Sequence, residues 1–176
     1  PVEKKPFYPV LPGQAALSYG LLGCNFRCAF CQNWVSSQTL KDDNAGAPTT
    51  AVRAEDVVDL ALRHGSKLVV STYNEPLISS EWSIDVFTIA KRNGLRCGYV
   101  SNGFATTEAL DALDGLLDFM NVDLKAYEDA TYRRLGGALA PVLHTIRELE
   151  TRGVFIEIVT LLTPDRKSTR LNSRHE

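Results

Sequence analysis

The stretch Ala15-Ala-Leu-Ser-Tyr-Gly-Leu-Leu-Gly-Cys24-Asn-Phe-Arg-Cys28-Ala-Phe-Cys31-Gln-Asn-Trp34 joins two signals that organise the rest of the chain. Ala15 to Leu22 is apolar enough for a buried strand. It runs straight into Gly23 and a loop that holds three cysteines within eight residues. Outward from there the chain alternates. Ala54 to His64 has helical spacing, with Val57, Val58, Leu60, Ala61 and Leu62 as its apolar positions, and Gly65 stops it. Leu68 to Thr72 reads as a short strand, Glu81 to Arg92 as a helix ended by Asn93-Gly94, and Arg96 to Val100 as a strand. Thr107 to Leu116 is helical, capped by Thr106 or Thr107, and Asp118 to Leu124 is a strand. Tyr127 to Leu135 and Pro141 to Thr151 are helices parted by Gly136-Gly137, which reads as a turn. Val154 to Leu162 is a last strand closed by Thr163-Pro164, and Ser36 to Thr50 is a polar loop.

This is a β-α unit repeated four times and then a fifth strand, an α/β pattern that implies a parallel sheet under covering helices. The unusual polar residues cluster just after strands one to four. In βα barrels the active site lies on that C-terminal face, whereas a doubly wound sheet binds mainly at one switch point. Four decorated strand ends therefore favour a partial (β/α) barrel, truncated after about five strands.

The 176 residues fit one domain, with 44 % hydrophobic and 23 % charged residues, as in ordinary globular proteins. A net charge of −2 argues against nucleic acid held by charge alone. No apolar run approaches a membrane span and no signal peptide is visible, so a cytoplasmic protein with no membrane partner is expected. The chain opens without Met and reads as a fragment or a processed chain. Residues 1–14 form a proline-rich lead-in and 15–164 the core. Residues 165–176 resemble the translation of a sequencing-library adapter, with Arg174 replacing the expected Ser, and are expected to be non-native.

Cys24, Cys28 and Cys31 form a CxxxCxxC arrangement, in which thiolates wrap one small metal centre from a single loop. An iron–sulfur cluster takes such ligands, and three thiolates leave one iron open to a small molecule. Zinc needs a fourth ligand. The candidates, His64, His144 and His175, fall at a helix end, in a helix and in the suspect tail. A zinc-binding, non-catalytic module is thus the alternative, and structural or disulfide cysteines are a further one. Cys97 sits inside a strand and reads as a buried, inert thiol. Asn121, Asp123 and Lys125 alternate with Val122 and Leu124, which puts the polar three on one strand face. If the apolar pair meets the helices, that face looks into the barrel, where Asp123 and Lys125 need partners or each other.

The cysteine loop, with Phe30 before the last Cys, resembles the radical S-adenosylmethionine (SAM) superfamily. The run Gly23 to Trp34, Tyr-Asn-Glu-Pro at 73–76 and Asn-Val-Asp-Leu-Lys at 121–125 are similar to one branch of it. That branch includes the radical SAM enzyme of the AmmeMemoRadiSam system and resembles pyruvate formate-lyase activating enzymes. The likeness covers about residues 3 to 164, and the chain departs from it from Asp165 onward.

The resemblance implies an oxidoreductase with a [4Fe–4S] cluster on Cys24, Cys28 and Cys31 and SAM on its open iron. Reductive cleavage of SAM then yields a 5′-deoxyadenosyl radical that abstracts hydrogen. It also implies a reducing electron donor of flavodoxin or ferredoxin type. The substrate is either a partner protein, as for a glycyl-radical activase, or a small molecule. Asn74 and Glu75 match the family's Gly-Gly-Glu position, with Tyr73-Asn74 in place of Gly-Gly, and Glu75 would accept from the SAM ammonium. Ser101 and Asn102 match its Thr-Asn-Gly turn and would face the ribose or carboxylate. Val100 stands where an Asp commonly precedes that turn. Asp123 and Lys125 would hold the ribose hydroxyls and the SAM carboxylate. Phe26 and Trp34 are expected to pack around the loop, with Trp34 also a candidate adenine contact.

Overall fold

A computed structural model describes residues 10–161. Most of the lead-in and the whole 165–176 tail lie outside the described residues. Five strands form one parallel sheet in the order β1 (Ala16–Tyr19), β2 (Leu68–Ser71), β3 (Arg96–Ser101), β4 (Phe119–Asp123), β5 (Phe155–Val159). The helices are α1 (Trp34–Ser37), α2 (Ala54–Arg63), α3 (Ser80–Arg92), α4 (Thr107–Ala112), α5 (Asp129–Leu135) and α6 (Leu139–Thr151). Every neighbouring pair of strands is also consecutive in sequence, as an unrolled (β/α) barrel requires. Among the described residues no helix is long and apolar enough to cross a membrane.

The strand pleat sorts the residues. Val69 on β2, Cys97 and Tyr99 on β3, and Met120 and Val122 on β4 face one way and meet buried side chains of α2 to α6. Asp118 ties this layer together, because its carboxylate accepts from the Cys97 N–H at 2.8 Å and from Lys91 Nζ at 2.7 Å. Burial pushes the Cys97 thiol up to about 12, which fits an inert core thiol. On the opposite, inner face Leu68, Val70 and Phe119 form a second apolar cluster with Val10 and Val100 against it. Gly98 lies directly under this cluster, and a Cβ there would stand 2.0 Å from the Phe119 ring. The inner faces of β2 and β4 thus carry a packed apolar floor, and the polar residues Asn121 and Asp123 follow it along β4.

Several element ends differ from the sequence reading. The first strand is shorter and half-exposed rather than a buried run to Leu22. At Leu21 the backbone N–H turns away to the Asn74 side chain, 2.9 Å from Oδ1. A Cβ at Gly20 would meet the Thr72 carbonyl at 2.7 Å, so the two chains close together there. The helix expected at Glu81 is preceded by a 3₁₀ turn over Pro76–Ser79, and its own first residue is Ser80. Thr106 is the residue that caps α4, accepting from the Ala109 N–H at 3.3 Å. Gly136 ends α5 in the left-handed conformation, as a turn glycine should.

Candidate functional site

Each functional side chain ends or follows a strand. After β1 comes the cysteine loop, after β2 Asn74 and Glu75, after β3 Asn102, and after β4 Lys125. Ser101 and Asp123 are the last residues of β3 and β4. All nine expected site residues, Cys24, Cys28, Cys31, Asn74, Glu75, Ser101, Asn102, Asp123 and Lys125, line one cavity of 340 Å³. Val100 lines it as well, and Val159, Thr160 and Leu161 close it on the β5 side. Trp34 heads α1 and is 41 % exposed, outside that lining.

The polar stripe of β4 lies on the inner face, since Asn121 pairs with Val100 and Asp123 with Val159. Val122 and Leu124 belong to the helix-covered core. Lys125 Nζ donates to Asp123 Oδ2 at 2.7 Å. Burial works against the charged Lys125, but the Asp123 carboxylate outweighs it and holds the ammonium above its usual range. Glu157 on β5, which the sequence reading passed over, pairs in register with Asn121. Burial pushes its carboxyl up, partly offset by a hydrogen bond with the Asn121 side chain.

Glu75 is 2 % exposed and is the most heavily bonded of these groups. Its Oε1 accepts from Ser101 Oγ at 2.7 Å and from the Leu77 N–H at 3.0 Å, and its Oε2 from the Asn102 N–H at 2.8 Å. Burial raises its carboxyl, against the pull of those donors. The Glu75 N–H in turn reaches the Gly23 carbonyl at 3.2 Å. One buried carboxylate therefore knits the ends of β2 and β3, and its backbone reaches the cysteine loop. Three acceptor positions are taken, one of them on Oε2, and Glu75 lines the cavity. Beside it Tyr73 has φ +76°, a left-handed conformation that a bulky side chain rarely adopts, and its hydroxyl lies 3.2 Å from Ser18 Oγ.

The cysteine loop is braced from several directions. Phe26 is 1 % exposed and packs against Phe104, tilted, and Tyr132, edge to face, with ring centroids 5.4 and 5.9 Å away. A Cβ on Gly137 would stand 2.2 Å from the Phe26 ring, so that glycine is the seat of the ring. The Arg27 N–H donates to the Leu135 carbonyl at 2.7 Å. Lys41 Nζ donates to the carbonyls of Cys24 and Phe26, and Gln38 Nε2 to that of Phe26 at 3.1 Å. Ser37, 2 % exposed, lies with Oγ 3.2 Å from Cys31 Sγ. Sequence reasoning missed Asn25, Ser37, Gln38, Lys41 and Gly137, because nothing local marks a residue that acts by reaching a distant carbonyl or ring.

Burial pushes the Cys24 thiol up to about 11, while the Phe26 N–H, 3.4 Å from the sulfur, pulls the other way. A metal bound there must displace that proton. Among the described residues no three His, Cys, Asp or Glu groups converge as ligands of one ion. A tetrahedral zinc needs thiolate ligands about 2.3 Å from a single point. Cys24, Cys28 and Cys31 line one cavity together. His64 ends α2, His144 bonds Thr107 Oγ1 at 3.2 Å, and neither lines the cavity. His175 lies outside the described residues. The donor set fits an iron–sulfur cluster.

A sequence profile described as the radical SAM superfamily matches residues 20–168. The uncharacterized protein MJ0808 of Methanocaldococcus jannaschii is 34 % identical over 165 residues, which cover 94 % of this chain and 48 % of that protein. The chain therefore spans about half the length of that relative. Streptococcus suis SuiB bound to the precursor peptide SuiA superposes with a TM-score of 0.66 at 12 % identity, over 91 % of this chain and 35 % of SuiB. SuiB bound to S-adenosylmethionine superposes with a TM-score of 0.61 at 12 % identity, with the same coverage. At that identity the likeness to SuiB is one of fold.

Proposed function

Because this chain belongs to the radical SAM superfamily, we propose that it binds a [4Fe–4S] cluster through Cys24, Cys28 and Cys31 and uses it to cleave SAM reductively. The bound pair supplies the electron and the hydrogen-abstracting fragment. The observation that carries this reading is the convergence of three half-buried thiols and six polar residues from three further strand ends on one cavity.

The chain's own residues hold and orient. Phe26 on Gly137, and Lys41 and Gln38 on the loop carbonyls, fix the thiols before any metal arrives, so less ordering entropy is lost on loading. Asp123 offers acceptors to ribose hydroxyls, and Lys125 a cation to the SAM carboxylate. Their ion pair keeps each charge satisfied until the ligand takes over. Glu75 receives one donor of the SAM ammonium. Asn74, Ser101 and Asn102 complete the wall. The reading extends to hydrogen abstraction of the kind carried out by pyruvate formate-lyase activating enzymes, on a protein or small molecule, with a flavodoxin- or ferredoxin-type electron donor.

The test is anaerobic reconstitution with iron and sulfide, then EPR of the reduced protein with and without SAM, beside a triple Cys24/Cys28/Cys31→Ala control. A cluster signal that shifts on adding SAM and is absent from the control is expected. A signal indifferent to SAM removes the cofactor roles of Glu75, Asp123 and Lys125. One tightly bound zinc and no cluster replaces the reading with the binding module.

A further inference from the structure

Asn102 does more than line the cavity wall. It is 5 % exposed and uses both ends of its side chain and its backbone. Its N–H donates to Glu75 Oε2 at 2.8 Å, and its Oδ1 accepts from the Phe104 N–H at 2.9 Å. That second bond decides how the amide is turned, since a flipped amide would set an NH₂ against an N–H. Nδ2 is therefore the end that faces the cysteine loop. It donates to Asn25 Oδ1 at 2.7 Å and stands 3.9 Å from Cys24 Sγ. Gly103, with φ +70°, makes the turn that allows this, and its N–H returns to Ser101 Oγ at 3.0 Å.

We infer that Asn102 is a positioning residue for the iron-binding loop: anchored by Glu75, it fixes Asn25 and directs an N–H donor toward the Cys24 sulfur. The inference rests on the proposed cluster but assigns Asn102 a role apart from contact with SAM. It also gives Glu75 a second task, because the carboxylate holds the turn from which Asn102 reaches across. Asn102 and Asn25 are 77 residues apart, so this is a cross-brace between β3 and the loop after β1. A donor aimed at a cluster sulfur disperses the negative charge gained on reduction and raises the reduction potential. With the thiol deprotonated on metal binding, the Phe26 N–H and the Asn102 amide are the donors facing Cys24 Sγ that the structure shows.

The test uses the full chain, reconstituted anaerobically and titrated by EPR in the absence of SAM, with iron content measured on each sample. Asn102→Asp keeps the size of the side chain and the acceptor for the Phe104 N–H but replaces the donor with a carboxylate. Asn102→Ala removes donor and brace, and Asn25→Ala removes the brace while leaving the Glu75 turn intact. Asn102→Asp is expected to shift the potential furthest toward negative values, and Asn102→Ala less. Asn25→Ala is expected to lower iron retention with the smallest potential shift. If Asn102→Asp does not fold by circular dichroism, Asn25→Ala decides, and unchanged iron retention in it overturns the inference. Variants that hold the cluster at the wild-type potential and lose only SAM affinity overturn it too, leaving the proposed function standing. A wild type that takes up no cluster overturns both.

Discussion

The inner face of the sheet and the rim at its strand ends are built on opposite logic. The floor of that face is made of Leu68, Val70 and Phe119, held by shape, with Gly98 giving up its side chain so that the Phe119 ring can lie flat. The rim at the strand ends is made of Glu75, Ser101, Asn102, Asp123 and Lys125, held by hydrogen bonds and one ion pair. The same strands supply both, a few residues apart. An apolar floor is stabilised by removing surface from water and tolerates changes that conserve its volume. A buried polar rim is stable only while each donor and acceptor is met. The floor should therefore govern whether the sheet folds, and the rim what the folded sheet can hold.

Gly98→Ala attacks the floor. With a Cβ 2.0 Å from a fully buried ring, overpacking is expected to cost about 3 kcal/mol. A urea unfolding curve reads the loss, and iron bound per folded molecule should match the wild type. A fall in that ratio would mean that floor and rim are not separable. Gly137→Ala attacks the rim from behind by unseating Phe26, whose ring would be 2.2 Å from the new Cβ. We expect a smaller cost, about 1–2 kcal/mol, since the α5–α6 turn has more room to yield. Here the iron bound per folded molecule falls, and an unchanged ratio would show that the loop does not depend on this seat.

The smallest effect concerns Asp129, whose Oδ1 accepts from the Leu139 N–H at 3.0 Å across that same turn. This bond and the Arg133 guanidinium hold its carboxyl below the usual Asp range. A carboxyl lowered by folding stabilises the protein above its unfolded value, and that contribution disappears as pH falls through the folded value. Melting temperatures measured down through the acid range should fall more steeply for the wild type than for Asp129→Asn. Parallel curves would show that the bond contributes nothing to the rim's support.

Local patterns made much of this legible. The order of elements follows from periods of two and 3.6. The polar stripe of Asn121 and Asp123 follows from alternation along one strand, and its inward direction follows because Val122 and Leu124 need the helices. The first strand is shorter than the apolar run from Ala15 to Leu22, since such a run does not show where pairing stops. Here it stops because Leu21 exchanges a strand partner for the Asn74 side chain.

Fold class, the thiol loop and the strand ends that carry polar chemistry were determined by the sequence alone, because each is written in residues within a turn or two of one another. The tertiary structure decided that Phe26 sits on Gly137, that Lys41 and Gln38 hold the loop carbonyls, and that Asn102 reaches Asn25. Those pairs are remote along the chain, and contact between them depends on how the strands and their loops come together in space. A spacing rule carries no information about that, because the interaction energy depends on distance through space and not on distance along the backbone.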